Sequence, residues 1–338
     1  MASRLKLSTL PTALEACPAL GAAIGAPGLL TKRDDLAGAE YGGNKVRKLE
    51  YLLGDALERG CDAVVTFGAA GSNHALATAI YARQVGLTCF AVLTDQVQTP
   101  WVANTLRWHG LLGTRLLYGT GFAETRLAAE RLRASHPSGP QRLYEIAWGG
   151  SSPLGSLGFV DAATELATQL AAAGLTAPVR VYLACGTMGS VAGLLVGLGR
   201  AGVAATVVSV KVVPQNVVDA SAVLQLTRET ERLLPAVTAG KQQRATLEFR
   251  PEFAGEGYAL PTPEAREALA LARDLAGFRL DTTYSGKALA CLISDARTGR
   301  LEGHTPVFWQ TWNSRPYPAE LTEVDQTILP AEFQKYFR

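Results

Sequence analysis

The sequence predicts an α/β protein built from parallel sheets flanked by helices. Two stretches of the chain each contain a short apolar strand, a glycine-rich loop, an apolar helix and a second strand. Buried parallel strands are near-continuous apolar runs joined by helical crossovers, and both stretches have this pattern. With 338 residues and 48% hydrophobic composition, the chain is long enough for two domains of roughly 100–200 residues each.

The first of these stretches follows a lead-in that is rich in proline and glycine. Leucines and alanines at three- and four-residue spacing predict a helix from about Lys45 to Arg59, which Gly60 ends. The elements that follow are a strand at 62–67, a glycine-rich loop at 68–74, an alanine-rich helix to about Val85 and a strand at 88–93. The loop falls at the carboxyl end of a parallel strand, where α/β proteins bind ligands.

The second stretch repeats this order. It has a strand at 179–184, a glycine-rich turn at 185–190, an apolar helix that ends near 197–202 and a strand at 205–213. Farther on, the pattern predicts a helix at 263–276, a loop at 278–287, a helix at 288–298 and a last strand at 306–311. Two glycine-rich loops therefore occupy equivalent positions in two βαβ units.

The composition argues against several classes of partner. The formal net charge is only +2 and no block of like charges appears, so the electrostatic footprint of a nucleic-acid-binding protein is missing. The five cysteines are scattered without a CxxC pair and the four histidines lack ligand spacing, which predicts no metal site and a reducing compartment. Neither a signal-peptide pattern nor an apolar run of about 18 residues is present. We therefore expect a cytoplasmic protein that has a small-molecule ligand and no membrane or nucleic-acid partner.

The densest group of functional side chains lies in Tyr41-Gly-Gly-Asn-Lys-Val-Arg-Lys48. It places two glycines and Asn44 before Lys45, at the predicted start of a helix. A single lysine is usually just an exposed surface residue. An ammonium group at a helix N-terminus is electrostatically disfavoured, however, so we expect the pKa of Lys45 to be lowered, as a Schiff-base amine requires. Arg47 and Lys48 are expected to serve structure or charge balance.

The glycine-rich turn of the second unit can act through its backbone. Its residues are Gly186, Thr187, Met188, Gly189 and Ser190. Their amides and hydroxyls, at the start of a helix, can hold a phosphate, although an ordinary tight turn is the alternative. The GxxxxGK[ST] pattern is missing, which argues against nucleoside triphosphates. A GxGxxG pattern at 197–202 lies between a helix and the next strand, the reverse of the dinucleotide-binding context, so we set it aside.

Two other segments contain side chains suited to chemistry. Ser72-Asn73-His74 opens a helix after a strand, so its amides and the Ser72 hydroxyl can bind a carboxylate; a plain helix cap is the alternative. Tyr258 and Tyr284 stand in glycine-marked loops. A phenol can stack, donate a hydrogen bond or transfer a proton, although most loop tyrosines are merely packed.

Taken in order, these segments resemble one family of fold type II pyridoxal-phosphate enzymes, which are tryptophan synthase β-like. The family includes 1-aminocyclopropane-1-carboxylate (ACC) deaminase and D-cysteine desulfhydrase, and the resemblance spans about 31–311. The lysine motif carries most of it, because Lys32-Arg-Asp-Asp35 and the segment 41–51 look like the family's pattern. The resemblance implies that pyridoxal 5'-phosphate is the cofactor and that Lys45 is its Schiff-base residue.

The same resemblance implies roles for the other segments. Ser72 would bind the substrate carboxylate, Asn73 the cofactor's phenolic oxygen, and His74 would also line the substrate site. The turn 186–190 matches the family's phosphate loop, with Asn44 as a further cofactor contact. Tyr258 and Tyr284 fall on the two active-site tyrosines, which contact the substrate and act in catalysis.

Members of this family divide at two positions. Deaminases have glutamate directly after the second tyrosine and leucine in the last strand, whereas desulfhydrases have small hydroxyl residues at both. Here the residues are Ser285 and Thr311, both of which indicate the desulfhydrase side, and His74 agrees. A carboxylate beside the pyridine nitrogen makes a stronger electron sink, but a hydroxyl suffices when the leaving group is as good as thiolate.

The sequence also departs from the family at two places. Residues 68–71 are Gly-Ala-Ala-Gly where the family has Gly-Gly-Ile-Gln, and Gln310-Thr-Trp-Asn313 replaces His-Thr-Gly-Gly. Trp312 can fill space that two glycines leave open, which would reshape the pocket. Both departures border the substrate and the cofactor ring, so the exact substrate stays open.

From this comparison we expect a large cofactor-binding domain, 1–48 with 162–338, and a small inserted α/β domain at 49–161. The active site is expected in the cleft between them, in a homodimer. The predicted reaction is α,β-elimination on a small amino acid, with conversion of D-cysteine to pyruvate, sulfide and ammonia as the first candidate. ACC deamination, D-serine dehydration or another reaction on the same cofactor is the nearest alternative. A non-catalytic binding module and a nicotinamide oxidoreductase are more distant alternatives.

Overall fold

The computed structural model describes residues 3–214, 217–236 and 245–338. The strands in these ranges are β1 (Leu14–Ala16), β2 (Leu30–Lys32), β3 (Ala63–Ala69), β4 (Thr88–Thr94), β5 (Arg115–Tyr118), β6 (Leu143–Ile146), β7 (Val179–Cys185), β8 (Ala205–Lys211), β9 (Thr246–Arg250) and β10 (Thr305–Trp309). The α-helices are α1 (Pro18–Ile24), α2 (Lys45–Glu58), α3 (Asn73–Gln84), α4 (Pro100–Leu112), α5 (Phe122–Ala134), α6 (Pro153–Ala172), α7 (Gly189–Arg200), α8 (Ala220–Glu231), α9 (Pro263–Ala276) and α10 (Ser285–Arg297). Short 3-10 turns lie at Asp34–Leu36, Pro140–Arg142, Trp148–Gly150, Ala319–Glu323, Gln326–Ile328 and Ala331–Phe337.

The chain forms two compact units. The smaller unit contains the first residues up to Leu7, then Leu49–Gly150 and Arg315–Arg338, and the larger contains Ser8–Lys48 and Ser151–Ser314. The division falls inside α2, between Lys48 and Leu49. The expected domains, 1–48 with 162–338 and 49–161, have the same break after residue 48. They differ from the units in the second break and in the placement of both chain ends.

The larger unit is built on one sheet with the strand order β1-β2-β10-β7-β8-β9 in the described residues. All neighbours are parallel except β1 and β2. Side chains alternate between its two faces: Tyr182 packs with α1, α9 and α10, whereas Val181 and Leu183 pack with α6 and α7. Because helices cover both faces, the central strands are mostly apolar, which is why β7 and β10 were recognisable from the sequence.

The smaller unit has a parallel sheet with the order β5-β4-β3-β6 in the described residues. On one face Leu93 of β4 packs with residues of α3, α4 and the last turn of the chain, and on the other Val92 packs with α5. The turn at 70–72 follows the carboxyl end of β3, as the sequence predicted. No helix within the described ranges combines the length and the apolar character needed to cross a membrane.

The predicted α/β class with parallel sheets and helices is confirmed, and so are the βαβ units, but three element predictions need correction. The proline- and glycine-rich lead-in is not irregular before Lys45, because it holds β1, α1 and β2. The last strand ends at Trp309, two residues earlier than predicted, so Thr311 lies beyond it. The final helix begins at Ser285, not at Ala288.

The early start of α10 has a local cause. The buried carboxylate of Asp281 accepts the backbone amides of Thr283, Tyr284 and Ser285 at 2.9–3.1 Å. Amides in the first turn of a helix have no partner within the helix, so a carboxylate placed there stabilises them. The sequence signal was Asp281, four residues before Ser285, but this segment with Gly286 was predicted to be a loop.

The start of α2 is fixed by a buried ion-pair network in the larger unit. The Arg47 guanidinium is 1% exposed and binds both carboxylate oxygens of Asp34 at 2.7 and 2.9 Å, and both of Glu165 at 3.0 Å. Thr12 accepts a further Arg47 N–H at 3.0 Å, and Lys32 donates to Glu165. Such bidentate, charge-assisted bonds are geometrically specific. The predicted structural role of Arg47 therefore has a definite partner set.

We expect Arg47→Met to lower the free energy of unfolding by about 3–5 kcal/mol, because the substitution leaves the buried Asp34 carboxylate without its ion-pair partner and Glu165 with Lys32 alone. The measurement is urea denaturation followed by circular dichroism. Arg297→Ala is the matched control, since Arg297 pairs with Glu267 on the surface of the same unit at 52% and 44% exposure, and such pairs contribute about 0–1 kcal/mol. Equal losses in the two variants would contradict a special role for the Arg47 network.

Candidate active site

The segment before Lys45 is held by backbone bonds to the chain that follows β10. Asn44 N donates to the Thr311 carbonyl at 3.1 Å, and Gly42 N donates to Asn313 Oδ1 at 2.7 Å. Gly43 has a φ of 95°, and a Cβ on it would stand 2.7 Å from the Thr311 carbonyl oxygen, so only glycine fits there. These contacts fix the entry of the chain into α2, whose first residue is Lys45.

The Lys45 amine is in an environment that favours its neutral form. Burial lowers the pKa of Lys45 to about 8, and the neighbouring Cys185 thiol offsets this only in part. The sequence argument attributed a lowered pKa to the helix N-terminus, whereas desolvation is the main cause here. A pKa of about 8 leaves roughly a tenth of the Lys45 amine uncharged at pH 7, far more than in an ordinary lysine, and the uncharged form is what a nucleophilic or proton-accepting lysine needs.

A cluster of polar groups surrounds the turn between β7 and α7. Ser151 Oγ donates to Thr187 Oγ1 at 2.9 Å and accepts from Gly189 N at 3.0 Å. Lys48 Nζ lies 3.3 Å from Ser151 Oγ. A Cβ on Gly189 would stand 2.8 Å from Ser151 Oγ and 2.9 Å from Lys48 Nζ, so the cluster depends on that glycine. We call Lys48, Ser151, Thr187 and Gly189 the anion cradle.

The conformation of this turn presents its amides at the start of α7. Met188, the residue before the helix, has a φ of 69°, a left-handed conformation that residues with a side chain adopt at an energetic cost. Ser190, in the first turn of the helix, accepts the Asn44 side-chain amide at 3.0 Å. The structure therefore joins the lysine segment to the turn 186–190 through Asn44, as expected for two parts of one site.

The sequence analysis expected Lys48 to serve structure or charge balance, and the structure places its amine beside the turn before α7. Burial and the adjacent Lys45 lower the pKa of Lys48 well below its usual range, and Cys185 offsets this only in part. Burial disfavours the ammonium form of such an amine, and an anion bound beside it would stabilise that form. The position of Lys48 three residues after Lys45, one turn along the same helix, was the available signal for this placement.

Tyr258 and Tyr284 form a pair. Their hydroxyls are hydrogen-bonded to each other, and their rings meet edge-on with centroids 6.0 Å apart. Burial raises the pKa of Tyr258 to about 12 and that of Tyr284 well above its usual range. A Cβ on Gly186 would stand 3.5 Å from Tyr284 Cε1, so Tyr284 borders the turn of the anion cradle. Both phenols are protonated at neutral pH and can act as proton donors.

The hydroxyl of Ser285 is turned towards Asp281. Ser285 Oγ donates to Asp281 Oδ1 at 2.6 Å and accepts from Asp281 N at 3.0 Å. Burial raises the pKa of Asp281, although the hydrogen bonds it accepts oppose this shift. Because a hydroxyl has one proton and two lone pairs, Ser285 keeps one lone pair for any further partner.

The segment 310–313, one of the two departures from the family pattern, is buried. Gln310 Nε2 donates to the Arg279 carbonyl at 2.6 Å, and Gln310 Oε1 accepts from Trp312 N at 3.4 Å. The Trp312 side chain is 5% exposed. Together with the bonds that Thr311 and Asn313 make to the lysine segment, these contacts give the segment a supporting role in the larger unit.

The turn Ser72-Asn73-His74 belongs to the smaller unit. Ser72 is the N-cap of α3 and its Oγ accepts from Ala75 N at 3.2 Å, so the capping alternative is realised, but the hydroxyl proton is not used in that bond. Asn73 is the first residue of the helix. His74 is buried and its Nε2 lies 2.9 Å from Thr66 Oγ1 of β3. The substrate roles of these residues stay predictions.

The residues of the larger unit fit pyridoxal phosphate. The anion cradle combines two hydroxyls, a helix N-terminus and a lysine, which is the donor set that a phosphate requires. Lys45 supplies an amine of lowered pKa in the same unit, and a Cβ on Gly189 would fill part of the cradle. No group of histidine, cysteine, aspartate or glutamate side chains in the described ranges is arranged to hold a metal ion.

Comparisons with known proteins agree with this chemistry. The sequence pattern of the family described as pyridoxal-phosphate dependent enzyme matches residues 5–310. The chain is 33% identical over 313 residues to a D-cysteine desulfhydrase of Salmonella choleraesuis (strain SC-B67), and 33% identical over 310 residues to one of Klebsiella pneumoniae (strain 342). Each alignment covers 90% of this chain and 92% of the relative.

Solved structures show the same likeness. A crystal structure described as an ACC deaminase homologue is 30% identical and superposes with a TM-score of 0.79 over 96% of both chains. A threonine deaminase from Solanum lycopersicum, at 16% identity and a TM-score of 0.65 over 94% of this chain and 83% of that one, shares the fold. The expected fold type II architecture and cofactor are thereby confirmed, and the chain belongs to the family of pyridoxal-phosphate dependent enzymes.

Proposed function

We propose that this enzyme eliminates sulfide from D-cysteine. The observation that carries the chemistry is a lysine of lowered pKa at a helix start, joined by Asn44 to the anion cradle of the same unit. Relatives that cover nine-tenths of the chain are D-cysteine desulfhydrases, which supports the substrate. The hydroxyl residues Ser285 and Thr311, where deaminases of this family have glutamate and leucine, favour the same choice.

The proposal assigns the cofactor to the larger unit. Lys45 would hold it covalently, and the anion cradle, with the backbone of Gly186, Met188 and Ser190, would bind its phosphate. Asn44, Asn73, Ser285 and Thr311 are its further contacts. When bound, pyridoxal phosphate supplies an electron sink for the negative charge that forms at Cα. The domains 1–48 with 162–338 and 49–161 remain the proposed division of function.

Lys45 also moves the proton in this proposal. When its amine is not bonded to the cofactor, Lys45 would accept the Cα proton of the substrate. A pKa of about 8 suits this step, because a general base works best when its pKa lies near the working pH. The desolvated surroundings that lower this pKa also keep water from competing for the proton.

The tyrosine pair supplies a proton to the sulfur that leaves Cβ. Sulfide leaves Cβ with the electron pair of the C–S bond, and a protonated phenol beside it stabilises the departing sulfur. Because burial raises the pKa of both Tyr258 and Tyr284, neither is a base at neutral pH. Either phenol can be the direct donor, with the other as its hydrogen-bond partner.

The turn of the smaller unit binds the substrate carboxylate. Ser72 supplies its free hydroxyl proton, and the amides at the start of α3 supply the positive end of a helix dipole. His74 lies behind the turn, bonded to Thr66, and so supports its shape. The overall change is D-cysteine plus water to pyruvate, hydrogen sulfide and ammonia.

Two properties of the whole protein complete the proposal. By resemblance to the family we infer a homodimer with a small amino acid as its only partner. We infer a reducing, cytoplasmic location, which the five unpaired, buried cysteines support.

ACC deamination is the second candidate. The observation that favours it is the ACC deaminase homologue among the solved structures, which covers 96% of the chain. The two reactions share the cofactor, the lysine and the carboxylate site, and they differ in the bond that breaks. Substrate assays therefore separate them better than structure does.

Purified enzyme is expected to have a visible absorbance band from its covalently held cofactor, and Lys45→Ala is expected to lose it. The band should shift on titration with D-cysteine. Arg297→Ala, a surface change in the same unit, is the control and should keep the band. Absence of a band after addition of cofactor, or its persistence in Lys45→Ala, would refute the role of Lys45.

Turnover is expected to be at least about tenfold faster, as kcat/KM, with D-cysteine than with ACC or D-serine. The keto-acid product identifies the reaction, because D-cysteine and D-serine give pyruvate whereas ACC gives 2-oxobutyrate. Sulfide release is measured in parallel. A preference for ACC would establish the second candidate, and a cofactor spectrum without turnover of any small amino acid would favour a binding module.

Lys48→Met is expected to weaken cofactor binding by about 10- to 100-fold, the effect of losing a charge-assisted hydrogen bond. The dissociation constant is measured by titrating the cofactor into stripped enzyme. Lys6→Met is the control, because Lys6 is exposed and the change removes the same charge. Equal affinities in Lys48→Met and the parent would show that the phosphate lies elsewhere.

A further inference from the structure

The turn before Ser72 is held by the side chain of Gln96, which follows β4. Gly71 N donates to Gln96 Oε1 at 2.9 Å. Gln96 lies two residues beyond β4, and the neighbouring Ala70 N donates to the Thr94 carbonyl at 2.9 Å. All of these residues lie in the smaller unit, and together they tie the turn to the loop after β4.

The absence of a side chain at position 71 is part of this contact. A Cβ on Gly71 would stand 2.9 Å from Gln96 Nε2, 3.2 Å from its Oε1 and 3.1 Å from Val102 Cγ2. The backbone of Gly71 is not in the left-handed region, so the constraint here is space: a side chain at this position would displace the Gln96 amide group and press on Val102. The Gln96 amide group therefore occupies the space into which any side chain at position 71 would extend.

Gln96 is in turn anchored by the last turn of the chain. Tyr336 Oη accepts from Gln96 N at 2.9 Å and can donate to the Gln96 carbonyl at 3.1 Å or to Asp95 Oδ1 at 3.3 Å. Asp95 also accepts from Tyr118 at 2.7 Å and pairs with Lys335 at 2.5 Å. The Tyr336 ring is 4% exposed, packed in the apolar cluster of this unit.

We propose that Gln96 is a positioning residue for the turn that binds the substrate carboxylate, and that Tyr336 keeps Gln96 in place. The inference rests on the proposed function of Ser72 and the α3 amides. A carboxylate site made of backbone amides is only as good as the direction in which they point. The Gln96 acceptor fixes the Ala70–Gly71 peptide, one peptide before the amide of Ser72, and the Tyr336 contact fixes Gln96.

Gln96→Leu, which keeps the size of the side chain but removes the acceptor, tests the proposal. The Gly71 amide should then exchange with deuterium faster in the peptide 68–76. The KM for the amino acid substrate should rise about 2- to 10-fold, the effect of one lost hydrogen bond, while kcat and the cofactor spectrum stay unchanged. Tyr336→Phe should produce a smaller change of the same kind.

Two further variants separate positioning from general destabilisation. Gln96→Glu keeps an acceptor oxygen at the same distance, so it should restore slow exchange of the 68–76 peptide. Tyr144→Phe removes a phenol that donates to Asp55 at 2.7 Å elsewhere in the same unit. This matched control should leave both KM and the exchange of 68–76 unchanged.

Each outcome decides a separate question. Unchanged exchange in Gln96→Leu would overturn the proposal outright, and faster exchange with an unchanged KM would overturn the substrate role. If the parent enzyme turns over no amino acid, the proposed function fails and the substrate role of Gln96 falls with it. Faster exchange would even then support the hold of Gln96 on the turn.

Discussion

The burial of Arg47 between two carboxylates is the constraint on which the larger unit depends. Arg47 lies between Lys45 and Lys48, so its bonds to Asp34 and Glu165 fix the rotation of the first turn of α2. The Arg47 carbonyl lies against Gly158 of α6, where a Cβ would collide with it. Residues one or two positions apart on a helix point in different directions. Arg47 can therefore bind Asp34 and Glu165, while Lys48 lies beside Ser151 and Lys45 lies near Cys185 at the end of β7.

The charges follow from this arrangement. Asp34 and Glu165 neutralise Arg47, and Lys32 shares Glu165. The amines of Lys45 and Lys48 both have lowered pKa values, and burial is the main cause in each. In the proposed function, a bound phosphate would bring negative charge beside Lys48. The first turn of α2 thus holds Arg47 in a structural network, next to the two lysines for which we propose the reactive and the phosphate-binding roles.

The parts of the fold that could be predicted from sequence are those where local pattern and tertiary burial agree. The strands β3, β4, β7 and β8 are short and mostly apolar, and α2 begins at Lys45 as its spacing predicted. The lead-in escaped prediction because β1, α1 and β2 are only three to seven residues long, too short for a periodic pattern to show.

The site was predictable to the extent that its residues lie in contiguous motifs. Lys45, Asn44 and the turn 186–190 were identified in this way, and the structure joins them through one amide–hydroxyl bond. Ser151 was not singled out because its partner Thr187 lies 36 positions away in the sequence. Asp281 was missed because it caps a helix whose start was predicted to be a loop. Long-range partners of this kind leave no local signal in a single sequence.

The two departures from the family pattern show how a local change is balanced elsewhere in the fold. A glycine at 71 would leave a gap in front of the Ser72 turn, but the Gln96 amide fills that space and bonds to the glycine's own backbone. In the segment 310–313, Gln310 donates to the Arg279 carbonyl and Asn313 accepts the Gly42 amide. Between them, the Thr311 carbonyl accepts the Asn44 amide, next to Lys45. In both places an amide side chain takes over the support of a loop. The side chains for which we propose contacts with the cofactor and substrate can then stay those of the family, while the residues that support them differ in this chain.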